Sequence, residues 1–243
     1  MTTTLIIDAD DTLWENNVHF ESATSGFLDL VEERSGSRAA AAALLPRIEH
    51  KNIPLHGYGS RSFTLSLMEA LEAITGTPTS SEDRERILAL GDRVRQMPIQ
   101  YLPGVVETLT VLKEHHRLIL FTKGDLKEQR DKVERSGVRH YFQHTEITGE
   151  KAPEDYRRLL VSRRLDRDET WMVGNSPRSD VNPALEVGLG AVYIPHPNTW
   201  SLEHEEVRPS SGARLKVLER FSELLEHFRR PGAQRRNTKG MGR

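Results

Sequence analysis

Thr4-Leu5-Ile6-Ile7-Asp8-Ala9-Asp10-Asp11-Thr12 is an apolar run that ends in Asp-x-Asp. It reads as a buried strand delivering two carboxylates to its C-terminal tip, where open α/β sheets bind ligands. Buried carboxylates are costly unless a metal, a cation or hydrogen bonds compensate them. The remaining sequence must then supply those compensating groups.

Bulk properties narrow the class. A chain of 243 residues suits one large domain, or a core domain carrying an insertion. Its apolar fraction of 36% is low, but the apolar residues fall in periodic runs that permit a core. A net charge of −2 creates no global field for nucleic acid or an anionic membrane. Cysteine is absent, which removes disulfides, thiolate metal sites and Cys nucleophiles. No apolar run is long enough to span a bilayer, and the first residues lack the pattern of a signal peptide. The expectation is a soluble, cytoplasmic protein.

Working outward from the first strand, residues 18–35 carry apolar side chains at Phe20, Ala23, Phe27, Leu30 and Val31, which is helical spacing. Residues 38–50 hold an alanine run and form a second helix, broken by Pro54 and Gly57-Tyr58-Gly59. Two more helices are predicted over 62–74 and from about 80 to 97, the latter opened by Ser80 and an acidic first turn. Residues 15–99 thus read as wholly helical. Beyond Pro103-Gly104 the character changes. Strand candidates at 118–122, 141–147, 171–174 and 191–194 alternate with helices, which implies a parallel sheet covered on both faces. Leu215, Leu218, Phe221, Leu225 and Phe228 form the apolar stripe of a predicted terminal helix. The fold class is α/β, a Rossmann-like core (1–14 and 100–228) with a helical block (15–99) inserted after the first strand. Residues 229–243 are basic and nearly free of apolar side chains, the composition of a disordered tail.

Four features sit at predicted strand ends. Asp8 and Asp10, two apart in an exit loop, can supply a nucleophile and a proton carrier; an Asx-type turn fits them too. Thr122, followed by Lys123 and Gly124, offers a hydroxyl and backbone N–H groups for an oxyanion. Lys151 precedes a helix N-terminus, where a cation opposes the dipole. Gly174-Asn175-Ser176-Pro177-Arg178-Ser179-Asp180 brings oxygen donors suited to a hard cation.

Taken in order, these four features resemble the motifs of the haloacid dehalogenase superfamily, in its phosphatase branch. Asp8-x-Asp10-x-Thr12 matches the first motif, Thr122 the second, Lys151 the third, and Gly174-Asn175-Ser176 with Asp180 the fourth. The helical block lies where that family places its cap. The resemblance implies a Mg²⁺-dependent phosphatase that hydrolyses a small phosphorylated metabolite through an aspartyl-phosphate. Asp8 would be the nucleophile and Asp10 the acid and base. Thr122 and Lys151 would hold the phosphoryl oxygens, with Lys123 and Gly124 in the same substrate-binding loop. Asp8, Asp10 through its carbonyl, Asn175 and Asp180 would hold the metal. Asn175 departs from the family's usual Asp and contributes no charge, which implies weaker Mg²⁺ affinity.

Arg61 is a candidate for pairing with a second anionic group of the substrate, and Tyr58 for stacking on a ring; an ordinary helix–helix turn accounts for the same stretch. A phosphomutase would use the same motifs. A dehalogenase would lack the second Asp. A non-catalytic member binding a phosphorylated ligand, or RNA through the tail, is the competing class, and nucleic acid is otherwise not expected as a partner.

Overall fold

The structure, a computed structural model, describes residues 3–34 and 36–228. The tail at 229–243, with the RNA-binding option attached to it, lies outside the described residues.

Among the described residues six strands form one parallel sheet in the order β3-β2-β1-β4-β5-β6. They are β1 (Thr4–Ile7), β2 (Arg117–Lys123), β3 (His144–Thr148), β4 (Thr170–Gly174), β5 (Gly190–Tyr193) and β6 (Leu215–Val217). The chain runs outward from β1 on one side through β2 and β3, then crosses back to β4 on the other. The crevice at that reversal, beyond the C-terminal ends of β1, β2 and β4, is where such sheets bind ligands.

Alternation along the strands feeds two cores. Leu5 and Ile7 of β1 point to one face with Leu118, Leu120, Val173 and Val192. Helices α5 (Val105–Leu112) and α6 (Leu126–Ser136), with α9 (Leu224–His227), contribute to that face. Ile6, Ile119, Phe121 and Met172 point to the other, against Tyr156 and Leu159 of α7 (Pro153–Arg163) and Ala184 of α8 (Asn182–Glu186). Because both faces are covered, the central strands β1 and β2 read as continuous apolar runs rather than alternating ones.

Four helices follow β1: α1 (Asn17–Glu33), α2 (Arg38–His56), α3 (Ser60–Thr75) and α4 (Ser81–Arg95). They pack around their own core, with Phe27, Leu30, Leu45, Phe63, Leu67, Ile87 and Leu90 at its centre. The chain leaves and re-enters the sheet layer side by side: Trp14 bridges Tyr101, and the Glu15 N–H donates to the Gln100 carbonyl at 2.9 Å. The helical layer is tied down by α6, whose Glu128 accepts from the Ser60 N–H (2.9 Å) and hydroxyl (2.6 Å). That carboxylate faces the N-terminus of α3, where it complements the helix dipole.

Two sequence expectations are corrected. The predicted terminal helix begins instead as β6, which pairs with β5; only Phe221 onward turns helical. Leu215, Leu218 and Phe221 fit a helical stripe, but the open edge of β5 offers backbone partners that a three-residue segment takes up. Helix α2 also runs through Pro46 and Pro54 to His56, past the break expected at Pro54. Each proline forfeits one backbone hydrogen bond, a loss the packing of Leu45 and Ile48 outweighs. Among the described residues no helix is long and apolar enough to cross a membrane.

Candidate active site

Each strand end at the crevice carries one of the predicted residues. Asp8 directly follows β1, and its N–H still donates to the Val173 carbonyl at 2.9 Å, so its backbone is held in the sheet frame. Thr122 is the next-to-last residue of β2, Lys151 lies just before α7, and Asn175 just after β4. The structure brings Asp8, Asp10, Thr122, Lys123, Gly124, Lys151, Asn175 and Asp180 to one cavity of about 550 Å³.

The buried Lys151 ammonium sits 2.5 Å from Asp8 Oδ1 and 2.8 Å from Asp180 Oδ1. Burial opposes its charge, but the two carboxylates outweigh that and raise its pKa. The cost of a cation ahead of a helix is thereby more than offset. Asp180 is itself committed: its second oxygen accepts the Ser176 N–H at 3.0 Å. It therefore stands behind Lys151 as a counter-charge. Asp8 Oδ2 and Asn175 Oδ1 converge on the Thr12 hydroxyl, at 3.0 and 3.2 Å. Burial pushes the Asp8 carboxyl up to about 7, against the pull of Lys151.

Asp10 has a different environment. Lys132 of α6 lies 2.8 and 2.6 Å from its two oxygens, and Trp14 Nε1 and Gln129 Nε2 each donate to it at 2.8 Å. Burial alone would raise its pKa, but Lys132 and these donors together hold it below the ordinary carboxylate range. Asp11, with φ of +57°, accepts the Asn16 and Asn17 N–H groups at 2.8 and 3.1 Å and so locks the exit toward α1. Burial still pushes it up to about 7. Asp11, Glu15 and His196 place ligand atoms within 4.8 Å of one another, a group that could hold a metal ion.

Thr122 is buried at the cavity wall, and among the described residues its hydroxyl has no hydrogen-bond partner. Other expectations for this loop change. The Gly124 N–H donates to the Thr148 carbonyl at 2.9 Å and is not free for an oxyanion. Lys123 is enclosed by Glu203 (2.5 Å), Ser179 (2.8 Å) and the Tyr58 ring, so its charge is already matched. Tyr58, a candidate for stacking, lines the cavity and donates its hydroxyl to Glu150 at 2.8 Å. Arg61 is exposed and does not line the cavity. In α3 its neighbours Ser60, Ser62 and Phe63 turn inward, and the 100° step per residue puts Arg61 on the outer face.

Sequence reasoning missed Lys132, Gln129 and Glu203. The first two were detectable as an i, i+3 pair on the helix following Thr122. Glu203 comes from an irregular segment with no local signal.

An α/β enzyme with carboxylates and an ammonium gathered at a sheet reversal is what these features define. The chain belongs to the haloacid dehalogenase-like hydrolases, whose sequence profile matches residues 2–188. It is 27% identical over 218 residues to a phosphoserine phosphatase of Thermus thermophilus, covering 78% of this chain and 87% of that one. It is 27% identical over 128 residues to human N-acylneuraminate-9-phosphatase, spanning about half of each chain (51% and 52%). Among solved structures, a haloacid dehalogenase-like family hydrolase from Xanthomonas campestris superposes with a TM-score of 0.79 at 28% identity, covering 93% of this chain and 94% of that one.

Proposed function

We propose that the protein is a Mg²⁺-dependent phosphatase acting on a small phosphorylated metabolite, with residues 15–99 as the cap over its leaving group. The observation that carries this reading is the Lys151 ammonium bridging Asp8 and Asp180 beside the unpartnered Thr122 hydroxyl. A carboxylate nucleophile, a fixed cation and a free donor share one wall, which is what phosphoryl transfer by positioning and charge neutralisation requires.

The donor set fits a hard divalent cation. Four carboxylates (Asp8, Asp10, Asp11, Asp180) face two ammonium groups (Lys132, Lys151), which leaves two negative charges over. Burial chiefly, with the neighbouring carboxylates adding to it, pushes Asp8 and Asp11 up to about 7. Asp8, the Asp10 carbonyl and the Asn175 amide oxygen would hold Mg²⁺, with Asp180 adding charge from behind Lys151. The ion would keep Asp8 ionised and neutralise phosphoryl charge.

Asp8 attacks phosphorus, the ester P–O bond breaks, and an aspartyl-phosphate forms. The leaving oxygen takes a proton from Asp10. A phosphoryl dianion beside Asp10 raises its proton affinity and opposes the pull of Lys132, so the carboxyl is loaded when substrate is bound. Water then attacks the acyl phosphate, Asp10 takes its proton, and phosphate leaves with Asp8 restored. Thr122 and Lys151 hold the phosphoryl oxygens throughout. The test is a screen of phosphorylated metabolites with Mg²⁺. Release of phosphate by the wild type and its loss in Asp8→Asn are expected; equal hydrolysis by the variant, or none by either protein, refutes the proposal.

A further inference from the structure

The cavity that begins at Asp8 continues between the helices of the inserted layer, where Phe20, Leu45, Ile53, Phe63 and Val94 line it. At about 550 Å³ it is far larger than a phosphoryl group needs and falls within the usual range for small-molecule sites. Leu45, Glu49 and Ile53 lie four residues apart on α2 and all line the cavity, so a carboxylate interrupts an otherwise apolar helix face. Every lysine and arginine on the wall already has a partner. Lys123 pairs with Glu203, Lys132 with Asp10, Lys151 with Asp8 and Asp180, and Arg95 with Asp92. The lining carboxylates are likewise engaged, with one exception: Glu49 has no hydrogen bond or ion pair among the described residues. Burial pushes its carboxyl up to about 7, with no positive charge acting on it. A half-buried anion without a protein partner is a cost that a ligand can remove.

We infer that the substrate's leaving group carries a protonated amine at the end remote from the phosphate, and that Glu49 receives it. The leaving group is then an amino alcohol with an apolar body. A second carboxylate or phosphate is disfavoured, because the wall has no spare cation among the described residues. This inference rests on the phosphatase reading and replaces the second anion-binding contact expected from Arg61.

The test compares ω-aminoalkyl phosphates with n-alkyl phosphates of matched length, from two to six carbons, on the wild type and Glu49→Gln. The wild type should prefer the amine by about tenfold to a hundredfold in kcat/KM at the best length, the worth of a charge-assisted contact. In Glu49→Gln that preference should fall toward unity, mainly through KM. Equal rates for each matched pair in the wild type, or a preference that survives in the variant, overturns the inference. Failure of the phosphatase reading shows separately, as no turnover of any ester including p-nitrophenyl phosphate. Thermal shifts then decide the Glu49 question: stabilisation by the amine alone, lost in Glu49→Gln, supports it, and equal shifts overturn it.

Discussion

Gly174 closes β4, and its replacement by alanine sets two effects of opposite sign against each other. Its φ is not in the left-handed region, so alanine could adopt the backbone without strain. By conformational entropy alone Gly174→Ala would then stabilise by about 0.5–1 kcal/mol. The packing says otherwise. An added Cβ would stand 2.2 Å from Asp180 Oδ2, 2.4 Å from its Cγ and 2.8 Å from its Cβ. Comfortable separations are about 3.5–4 Å, so Asp180 must move by ~1 Å or more. Its two oxygens are fixed on Lys151 and the Ser176 N–H, and its side chain is 1% exposed. Overpacking costs about 1–3 kcal/mol, and breaking one side of a buried ion pair about 3–5 kcal/mol. Even with partial relaxation the net is a loss of about 3 kcal/mol. Equilibrium urea unfolding followed by circular dichroism should show the midpoint falling by about 1 M or more. kcat should fall with it, since Lys151 loses its rear partner. Gly149→Ala, whose Cβ meets nothing within 4 Å, is the control and should be neutral or slightly stabilising. A midpoint for Gly174→Ala equal to or above the wild type would refute the reasoning.

Asp8→Asn should abolish turnover and yet raise the melting temperature of the metal-free protein at pH 8. Burial raises this carboxyl from 3.8 to about 7, so its favourable contribution is complete below about pH 4 and lost as pH climbs through 7. The gap between variant and wild type should therefore vanish near pH 4 and approach a ceiling of about 4 kcal/mol at pH 8. A gap independent of pH would contradict this origin. Asn175→Asp should tighten Mg²⁺ binding, read as a larger metal-induced thermal shift. It should also cost about 1 kcal/mol without metal, because the Asn175 amide donates to Thr199 Oγ1 at 3.1 Å while that hydroxyl is spent on the His196 carbonyl. An unchanged metal-induced shift would show that charge at position 175 does not limit affinity.

The Asn175–Thr199 bond illustrates why part of the site was illegible beforehand. As a motif letter, Asn175 is only a missing charge; in the fold its NH₂ is a donor that an aspartate cannot replace. Lys132 is similar. It lies 122 residues from Asp10 in sequence, and only the packing of α6 on the face of the sheet makes it the clamp on that carboxylate. Arg61 failed for the opposite reason, since its chemistry suited an anion but its position in the helical turn faced away. Residues 215–217 failed because Leu215 fits a helix stripe with Leu218 and Phe221 and an edge strand equally well, and the neighbouring β5 edge decided between them.

What the sequence determined by itself is the set of strand-end residues and the parallel sense of the first five strands. Runs such as Leu5-Ile6-Ile7 and Leu118-Ile119-Leu120-Phe121 can be satisfied only inside a sheet covered on both faces, and the residue after such a run must emerge at its tip. The partners of each emerging side chain were decided by the tertiary structure alone. Charge compensation acts over a few ångströms of space regardless of chain distance. Asp8 and Lys151, 143 residues apart, become one site only once β1 and the loop before α7 share an edge of the sheet.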